Sequence, residues 1–182
     1  IRLAGIHIPP GLNAKINRPA TCNALGFLLV HQKIARQFLP FMISEYEKFL
    51  VEIRACEKTR EIFSALNPAI SEDWDTEFLD LIVGIKIVEN IDEAIDFINI
   101  HGSQHTEGIM TENSKTAEKF ITAVDASAVF VNASTRLNDG GEFGLGAEMG
   151  ISTQKIHARG PMGLQELTIY KWVGEGNGQI RE

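Results

Sequence analysis

The chain has 182 residues and a formal net charge of −7, and it is 44% apolar and 23% charged. This is ordinary globular usage, which excludes a disordered, collagen-like or low-complexity chain, and the length predicts about one domain. The acidic balance argues against general nucleic-acid binding, and no apolar run approaches the ~18 residues of a membrane helix.

The beginning of the chain has the character of a connector. It starts at Ile1 rather than at methionine, and Pro9, Pro10 and Gly11 follow one another directly. We therefore expect residues 1–12 to be a connector or an atypical lead-in, and the sequence to be a piece of a longer protein.

Strand-like and helix-like segments then alternate. Residues 25–30 form a continuous apolar run that predicts a strand buried on both faces. Apolar residues recur at helical spacing over residues 34–50, and Pro40 should kink that helix or split it in two. A short strand over residues 51–54, a helical turn over residues 59–63 and a polar loop over residues 67–75 follow.

The pattern that follows predicts a parallel sheet. Residues 79–88 are rich in Leu, Ile and Val, and Asn90 with Glu93 forms a capping pattern for a helix that stops at Gly102. Strand–helix–strand units with short connections build parallel sheets with right-handed crossovers. The fold class is therefore α/β, a parallel sheet with flanking helices. The remaining elements are a strand over residues 106–111, a helix over 114–124 and a strand over 126–131.

Residues 132–161 differ in character from these units. They contain six glycines and few long aliphatic side chains, so we expect an irregular stretch, and irregular stretches of that length are usually functional. Residues 162–172, which include Leu164 and Leu167, predict a short closing helix.

The two cysteines have different surroundings. Cys56 follows a predicted strand and is interpreted as a partly buried small hydrophobe, whereas Cys22 lies among turn residues just before a strand. Lys15 and Arg18 are close to Cys22 in sequence, and a cationic setting lowers the pKa of a thiol. Cys22 is thus a candidate nucleophile, with a structural cysteine as the evenly weighted alternative. Two cysteines cannot staple a domain of this size, so we expect a reducing, cytoplasmic setting.

Two arginines bracket the irregular stretch. Arg136 ends the run Asn-Ala-Ser-Thr-Arg, and Arg159 precedes Gly160. A guanidinium among Ser, Thr, Asn and Gly suits a site that grips carboxylate or phosphate. From the residues alone, two exposed loop arginines are the favoured interpretation.

Two other patterns are rejected as sites. The glycines from Gly144 to Gly150 follow G-x-G-x-x-x-G and lack the preceding strand of a dinucleotide-binding loop, which favours a close-packed turn. His101 and His105 are separated by Gly102, which argues against a helical metal pair, and no cluster of ligands completes a zinc site. No metal site is expected.

Six stretches are collinear with one known family. They are Asn-Ala-Lys…Arg-Pro…Cys-Asn-Ala over residues 13–24, Asp-Trp-Asp-Thr-Glu-Phe-Leu-Asp over 73–80, Gly-Ser-Gln-His-Thr-Glu over 102–107, Val-Asn-Ala-Ser-Thr-Arg over 131–136, and residues 143–152 and 157–163. Together they resemble the gamma-glutamyl phosphate reductases (glutamate-5-semialdehyde dehydrogenases), a branch of the aldehyde dehydrogenase superfamily. The resemblance runs from about residue 13 to residue 179, and residues 1–12 do not fit it.

The resemblance implies an aldehyde-dehydrogenase-like catalytic domain over residues 13–131. It assigns residues 132–182 to a substrate-pocket loop, the closing helix and an expected oligomerisation segment. Cys22 matches the family's nucleophile, and the backbone beside it, including that of Asn23, is a candidate oxyanion donor. Glu77 falls where the superfamily places a glutamate that binds the nicotinamide ribose. The substrate-binding positions implied are His105, Ser134, Thr135, Arg136 and Arg159.

The activity implied is NADPH-dependent reduction of gamma-glutamyl phosphate to glutamate 5-semialdehyde and phosphate, in proline biosynthesis, through a Cys22 thioester. The family's cofactor domain precedes the matched region, so this chain alone is not expected to bind NADP(H) productively. The implied partners are a second copy of the chain in a homo-oligomer and glutamate kinase, without nucleic acid or membrane. The alternatives are a non-catalytic oligomerisation and packing fragment, and a related aldehyde dehydrogenase acting on another activated acid.

Overall fold

The computed structural model describes residues 9–182. The predicted lead-in therefore lies largely outside the described residues, but its end is helical, because helix α1 spans Pro10–Ile16. Proline at the first helical position has its φ angle already set for a helix and lacks only an N–H that would be unpaired there. The Pro-Pro-Gly run that indicated a connector thus includes a helix start.

The main sheet has four parallel strands in the order β1, β4, β2, β3. Val83, Ile85 and Ile87 of the inner strand β4 are almost completely buried, because both faces of a parallel sheet are covered. The strands are β1 at Phe27–His31, β2 at Glu52–Ala55, β3 at Asn67–Pro68 and β4 at Ile82–Val88.

Helix α2, at Gln32–Lys48, covers one face of this sheet. Leu39, Met42 and Tyr46 lie on its buried side, and none of the three is exposed to solvent. Pro40 lies inside the helix on the exposed side, where water can satisfy the carbonyl that the missing N–H leaves free. The helix is therefore continuous, and the expectation that Pro40 splits it is wrong.

A single turn of helix, α3 at Glu57–Arg60, follows β2.

A second, two-stranded parallel sheet pairs β5, at Thr106–Ile109, with β6, at Ala128–Val131. Helices α4, at Ile91–His101, and α5, at Ser114–Ala123, pack on it through a small apolar core that includes Ile98 and Phe120. Asn90 caps α4 as predicted, since its Oδ1 accepts from the backbone N–H groups of Asp92 and Glu93 at 2.9 and 3.0 Å. The α/β class with parallel strands and flanking helices is confirmed, with the strands divided between two sheets.

The predicted closing helix over residues 162–172 is wrong. The structure has a single turn at residues 164–167 and irregular chain beyond it. Leu164 and Leu167 are 79% and 56% exposed, so no apolar surface stabilises a helix there, and a helix this short is marginal without tertiary packing.

The remaining elements are short. The strands β7, at Ile151–Ser152, and β8, at Gly160–Pro161, form an antiparallel pair, and 3₁₀ turns lie at Ser71–Asp75 and Thr135–Leu137. Between residues 9 and 182, no helix combines the length and the apolar character needed to cross a bilayer.

Candidate active site

Cys22 lies in a tight turn between α1 and β1. The turn is closed locally, because the backbone N–H of Ala24 donates to the carbonyl of Thr21 at 2.9 Å and the Thr21 hydroxyl donates to the carbonyl of Arg18 at 2.8 Å. Cys22 is exposed, so its thiol is accessible from solvent. Cys56 directly follows β2 and is partly buried, as expected of a small packing residue.

The turn is tied to the 3₁₀ turn that follows β6. Thr135 Oγ1 donates to the carbonyl of Asn23 at 2.7 Å, and Asn23 Nδ2 donates to the carbonyl of Asn138 at 3.0 Å. Arg136 Nη1 donates to the side-chain oxygen of Asn23. The structure therefore brings Thr135 and Arg136 into one cluster with Asn23, which is more than a hundred positions from them, beside the thiol.

Ser134 and Arg136 also contact α1. Ser134 Oγ donates to Asn13 Oδ1 at 2.7 Å, and Arg136 Nε donates to Asn17 Oδ1 at 3.4 Å. These contacts fix the Arg136 guanidinium from two sides while leaving the residue partly exposed. A guanidinium held this way can present its remaining N–H groups to an anion.

His105 is buried at the start of β5 and belongs to the same network. Its Nδ1 lies 2.6 Å from Thr106 Oγ1, which accepts a hydrogen bond from Asn138 Nδ2 at 2.7 Å. Burial lowers the pKa of His105, against a smaller opposing effect of Glu77, so the imidazole is neutral at pH 7. Nε2 itself is buried without a hydrogen-bond partner among the described residues.

The charges around Cys22 differ from those expected. Partial burial of the sulfur raises the pKa of the thiol, and Glu148 and Glu77 raise it further, whereas its own backbone N–H and Arg136 lower it. Lys15 is 1% exposed and donates to the carbonyl of Ile82 at 2.9 Å, because its position on α1 faces the core. Burial lowers the pKa of Lys15 to about 8. The expectation that Lys15 and Arg18 make the thiol more acidic is therefore wrong, and the cation that acts on it is Arg136.

Glu77 follows the 3₁₀ turn at Ser71–Asp75 and is exposed. Its charge acts on both Cys22 and His105, so it lies on the same side of the molecule as the thiol. Its carboxylate has no hydrogen-bond partner between residues 9 and 182. A free carboxylate is an acceptor for sugar hydroxyls, so this residue fits a role in holding the ribose of a nicotinamide cofactor.

Arg159 is not brought into the cluster. Its Nη1 donates to Asp125 Oδ1 at 2.9 Å, and Lys155 binds the same carboxylate. Asp125 precedes β6 whereas Arg136 follows it, so the two arginines lie at opposite ends of that strand.

Two residues of the site were not identified from the sequence. Asn138 is completely buried and joins Asn23 to Thr106, but an asparagine in a glycine-rich stretch is typical of any loop. Glu148 lies inside the glycine run that was interpreted only as a turn. Its carboxylate accepts from the backbone N–H of Gly140 at 2.9 Å and raises the pKa of the Cys22 thiol.

Left-handed backbone conformations concentrate around these residues. Five non-glycine residues in the described range have φ near +60°, and four of them lie one to four positions from a site residue in sequence. Arg18 precedes Cys22, Leu79 follows Glu77, Gln104 precedes His105 and Asn132 precedes Ser134. Such conformations cost free energy and are retained mainly where the surrounding structure requires them, often at functional sites.

Comparison with known proteins agrees with the motif resemblance. The chain is 57% identical over 175 residues to a gamma-glutamyl phosphate reductase of Thermotoga sp. (strain RQ2) and 58% identical over 171 residues to that of Dictyoglomus thermophilum, which is 96% and 94% of this chain. It spans only about 42% and 41% of the length of those relatives. No protein-family model matches the chain.

Solved structures give the same result for the fold. The crystal structure of gamma-glutamyl phosphate reductase from Thermotoga maritima superposes with a TM-score of 0.92 at 56% identity, over 96% of this chain and 42% of that one. An acetylating aldehyde dehydrogenase from Geobacillus thermoglucosidasius superposes with a TM-score of 0.65 at 16% identity, over 97% of this chain and 49% of that one. The chain therefore has an aldehyde-dehydrogenase-like fold, and its resemblance to gamma-glutamyl phosphate reductases is confirmed.

Proposed function

We propose that this chain is the catalytic segment of a cytoplasmic gamma-glutamyl phosphate reductase. The full-length enzyme would use NADPH to reduce gamma-glutamyl phosphate to glutamate 5-semialdehyde and phosphate, a step of proline biosynthesis. The observation that carries the proposal is the exposed Cys22 thiol beside the Arg136 guanidinium, in a turn cross-linked to residues 134–138. Relatives of this name, at 57% identity, support it.

Cys22 is the proposed nucleophile. Its thiolate attacks the acyl carbon, the bond from that carbon to the phosphate oxygen breaks, and phosphate leaves with the bonding electrons, so that the glutamyl group is held as a thioester. Because the pKa of the thiol is raised, most of the sulfur is protonated at neutral pH and must lose its proton before attack. Arg136 is the side chain that stabilises the thiolate.

The backbone of the Cys22 turn can stabilise the oxygen of the tetrahedral intermediate. The N–H of Asn23 donates to no carbonyl among the described residues, and that of Cys22 acts on its own sulfur, while those of the neighbouring Thr21 and Ala24 donate to carbonyls. Free N–H groups beside a nucleophile are suited to bind a developing oxyanion. The side chain of Asn23 is committed to Asn138 and Arg136, so its proposed catalytic role belongs to its backbone.

The substrate brings a phosphate and an α-carboxylate, and Arg136 is the proposed partner for one of them. A planar guanidinium binds two oxygens of such a group at once. The hydroxyls of Ser134 and Thr135 are occupied by Asn13 and by the Asn23 carbonyl. Their proposed contribution to substrate binding is therefore to hold Arg136 and the thiol in place, with neutral His105 as a buried wall of the pocket.

Glu77 is the residue of this chain that would hold the nicotinamide cofactor. Its exposed carboxylate would accept hydrogen bonds from ribose hydroxyls. Bound NADPH would supply the hydride that converts the thioester to the aldehyde and releases the Cys22 sulfur. The preference for NADPH over NADH is part of the proposal.

The full-length enzyme is also proposed to be a homo-oligomer. Ile169, Trp172 and Ile180 are 96%, 99% and 86% exposed. Apolar side chains exposed together to this extent usually mark an interaction surface. Residues 164–182, named here the C-terminal segment, are therefore the proposed contact with a second copy.

The decisive experiment replaces Cys22 by Ala in the full-length protein. Phosphate-dependent reduction of NADP⁺ with glutamate 5-semialdehyde should fall by about four orders of magnitude or more, as for the loss of other covalent nucleophiles. Cys56→Ala is the matched control, because it removes the other thiol and should leave turnover within a few-fold. Turnover retained in Cys22→Ala, with circular dichroism unchanged, would contradict the proposal.

A further inference from the structure

Residues 71–78, named here the Glu77 segment, contain only a 3₁₀ turn at Ser71–Asp75, yet side chains on both sides of Glu77 are attached to the body of the fold. The attachments reach three separate elements, which are β2, β4 and α4. Loops are on average more mobile than the elements they connect, so these attachments restrict the movement of the segment.

Arg54 on β2 holds both ends of this segment. Its Nη1 donates to Oδ1 of Asp73, which is 3% exposed, and its guanidinium lies 5.1 Å from the centre of the Phe78 ring. The second oxygen of Asp73 accepts from the backbone N–H of Ile70 at 2.9 Å. One cation on the sheet therefore fixes the positions that bracket Glu77.

Trp74 is seated on the main sheet in a notch that only glycine leaves open. A Cβ at Gly84 of β4 would come within 2.7 Å of Trp74 Cζ3, closer than atoms can approach. The indole ring packs edge to face on Phe27 and Phe97, with centroids 6.5 and 5.4 Å away. Edge-to-face contacts of this kind restrict both the position and the orientation of the ring.

Asp75 makes one further contact to the fold, and Thr76 makes one within the segment. Asp75 Oδ1 lies 2.7 Å from His101 Nδ1 on α4, and Thr76 Oγ1 donates to the carbonyl of Glu72 at 2.6 Å. Glu77, between these attached neighbours, is exposed and makes no hydrogen bond within residues 9–182. The carboxylates of Asp73 and Asp75 are thus bound to the body of the fold, and that of Glu77 makes no such bond.

We infer that Asp73 and Trp74 are positioning residues, which hold the free Glu77 carboxylate where it binds the nicotinamide ribose. The inference rests on the proposed function, since it requires Glu77 to contact the cofactor. Its physical basis is preorganisation: a carboxylate on a fixed segment loses little conformational entropy on binding. Releasing the segment should therefore weaken cofactor binding even though neither residue touches the cofactor.

The test is a double-mutant cycle on the full-length protein, with NADP⁺ affinity measured by isothermal titration calorimetry. Glu77→Gln and Trp74→Leu should each weaken NADP⁺ binding about tenfold. The double variant should bind no more weakly than Glu77→Gln, because Trp74 acts through Glu77. Phe41→Leu, a change at a 51% exposed aromatic residue of α2, is the matched control and should leave the affinity unchanged.

A second arm uses Asp73→Asn in the same cycle, so that a Trp74 variant that does not fold leaves the inference testable. The inference would be overturned if the losses of affinity add in the double variants, or if the single variants at positions 73 and 74 bind NADP⁺ normally. Glu77 would keep its proposed role in both cases. Normal binding by Glu77→Gln would overturn the inference and the assignment of Glu77 together. The Cys22→Ala assay decides the proposed reaction separately from all of these outcomes.

Discussion

Residues around Cys22 and residues 164–182 are both irregular in backbone, but they are held in opposite ways. The Cys22 turn is bound by side chains more than a hundred positions away, through Thr135 and Arg136. In the C-terminal segment, the hydrogen bonds join residues at most three positions apart, as between Thr168 and Gln165. The Cys22 turn is therefore held by distant residues of this chain, whereas the C-terminal segment lacks a partner surface among the described residues.

This difference shows that irregular backbone does not by itself indicate mobility or a lack of structure. Asn23 is 6% exposed and both polar atoms of its side chain are bonded, so the fold determines its side-chain conformation. Trp172 is 99% exposed, and only a further surface can determine its position. Three changes test that distinction.

The largest effect is expected in the C-terminal segment of the full-length protein. Ile169→Ser with Trp172→Ser should raise the dissociation constant of the oligomer at least about a hundredfold, because each large apolar side chain contributes about 1.5–3 kcal/mol when buried. Analytical ultracentrifugation over a range of concentrations measures the change.

Ile100→Ser is the matched control for that pair. Ile100 is 72% exposed on α4. Its replacement by serine removes exposed apolar surface outside the C-terminal segment and should leave self-association unchanged. An equal effect of Ile100→Ser, or no effect of the double change, would show that the C-terminal segment is not the contact.

The next effect compares one hydroxyl in each region. Thr135→Val removes a buried donor to the Asn23 carbonyl and should lower the free energy of unfolding by about 1–3 kcal/mol, the cost of leaving a buried acceptor unpaired. Thr168→Val removes the exposed donor to the Gln165 carbonyl and should change it by less than about 0.5 kcal/mol. Urea unfolding of the two full-length variants gives both values, and similar losses would remove the distinction between the regions.

The sequence predicted the regular part of the fold well, for physical reasons that are local. Apolar periodicity located α2 and β4, and the Asn90 cap located the start of α4. The closing helix failed because Leu164 and Leu167 have the right spacing but no surface to pack on. Periodicity describes one face of an element, and it does not report whether another element covers that face.

The residues alone made Cys22 a candidate nucleophile, but local patterns could not predict the contacts that surround it. Spacing alone cannot place Arg136 against Asn23, because these residues are 113 positions apart. Sequence proximity was misleading for Lys15, whose side chain enters the core instead of approaching the thiol. The carboxylate of Glu148 was missed for the same reason, since its effect on Cys22 depends on how the irregular stretch folds back.

The smallest effect concerns the charges that the fold places around Cys22. Glu148 raises the pKa of the thiol and Arg136 lowers it. Glu148→Gln should therefore lower that pKa and, at a pH below it, raise the thiolate fraction about two- to threefold, the order expected for one partly screened charge. Arg136→Gln should have the opposite sign. The rate of Cys22 alkylation by iodoacetamide, measured from pH 7 to 10 in a Cys56→Ala background, reports the thiolate directly.

Glu142→Gln provides the control, since Glu142 lies in the same glycine-rich stretch and is not among the charges that act on the thiol. If the fold holds Glu148 close to Cys22, Cys22 should be alkylated faster in Glu148→Gln and at the unchanged rate in Glu142→Gln. Equal rates for both variants would mean that the stretch contributes only its net charge, and that it is not held against the Cys22 turn in solution. The site would then resemble the C-terminal segment more closely than its hydrogen bonds indicate.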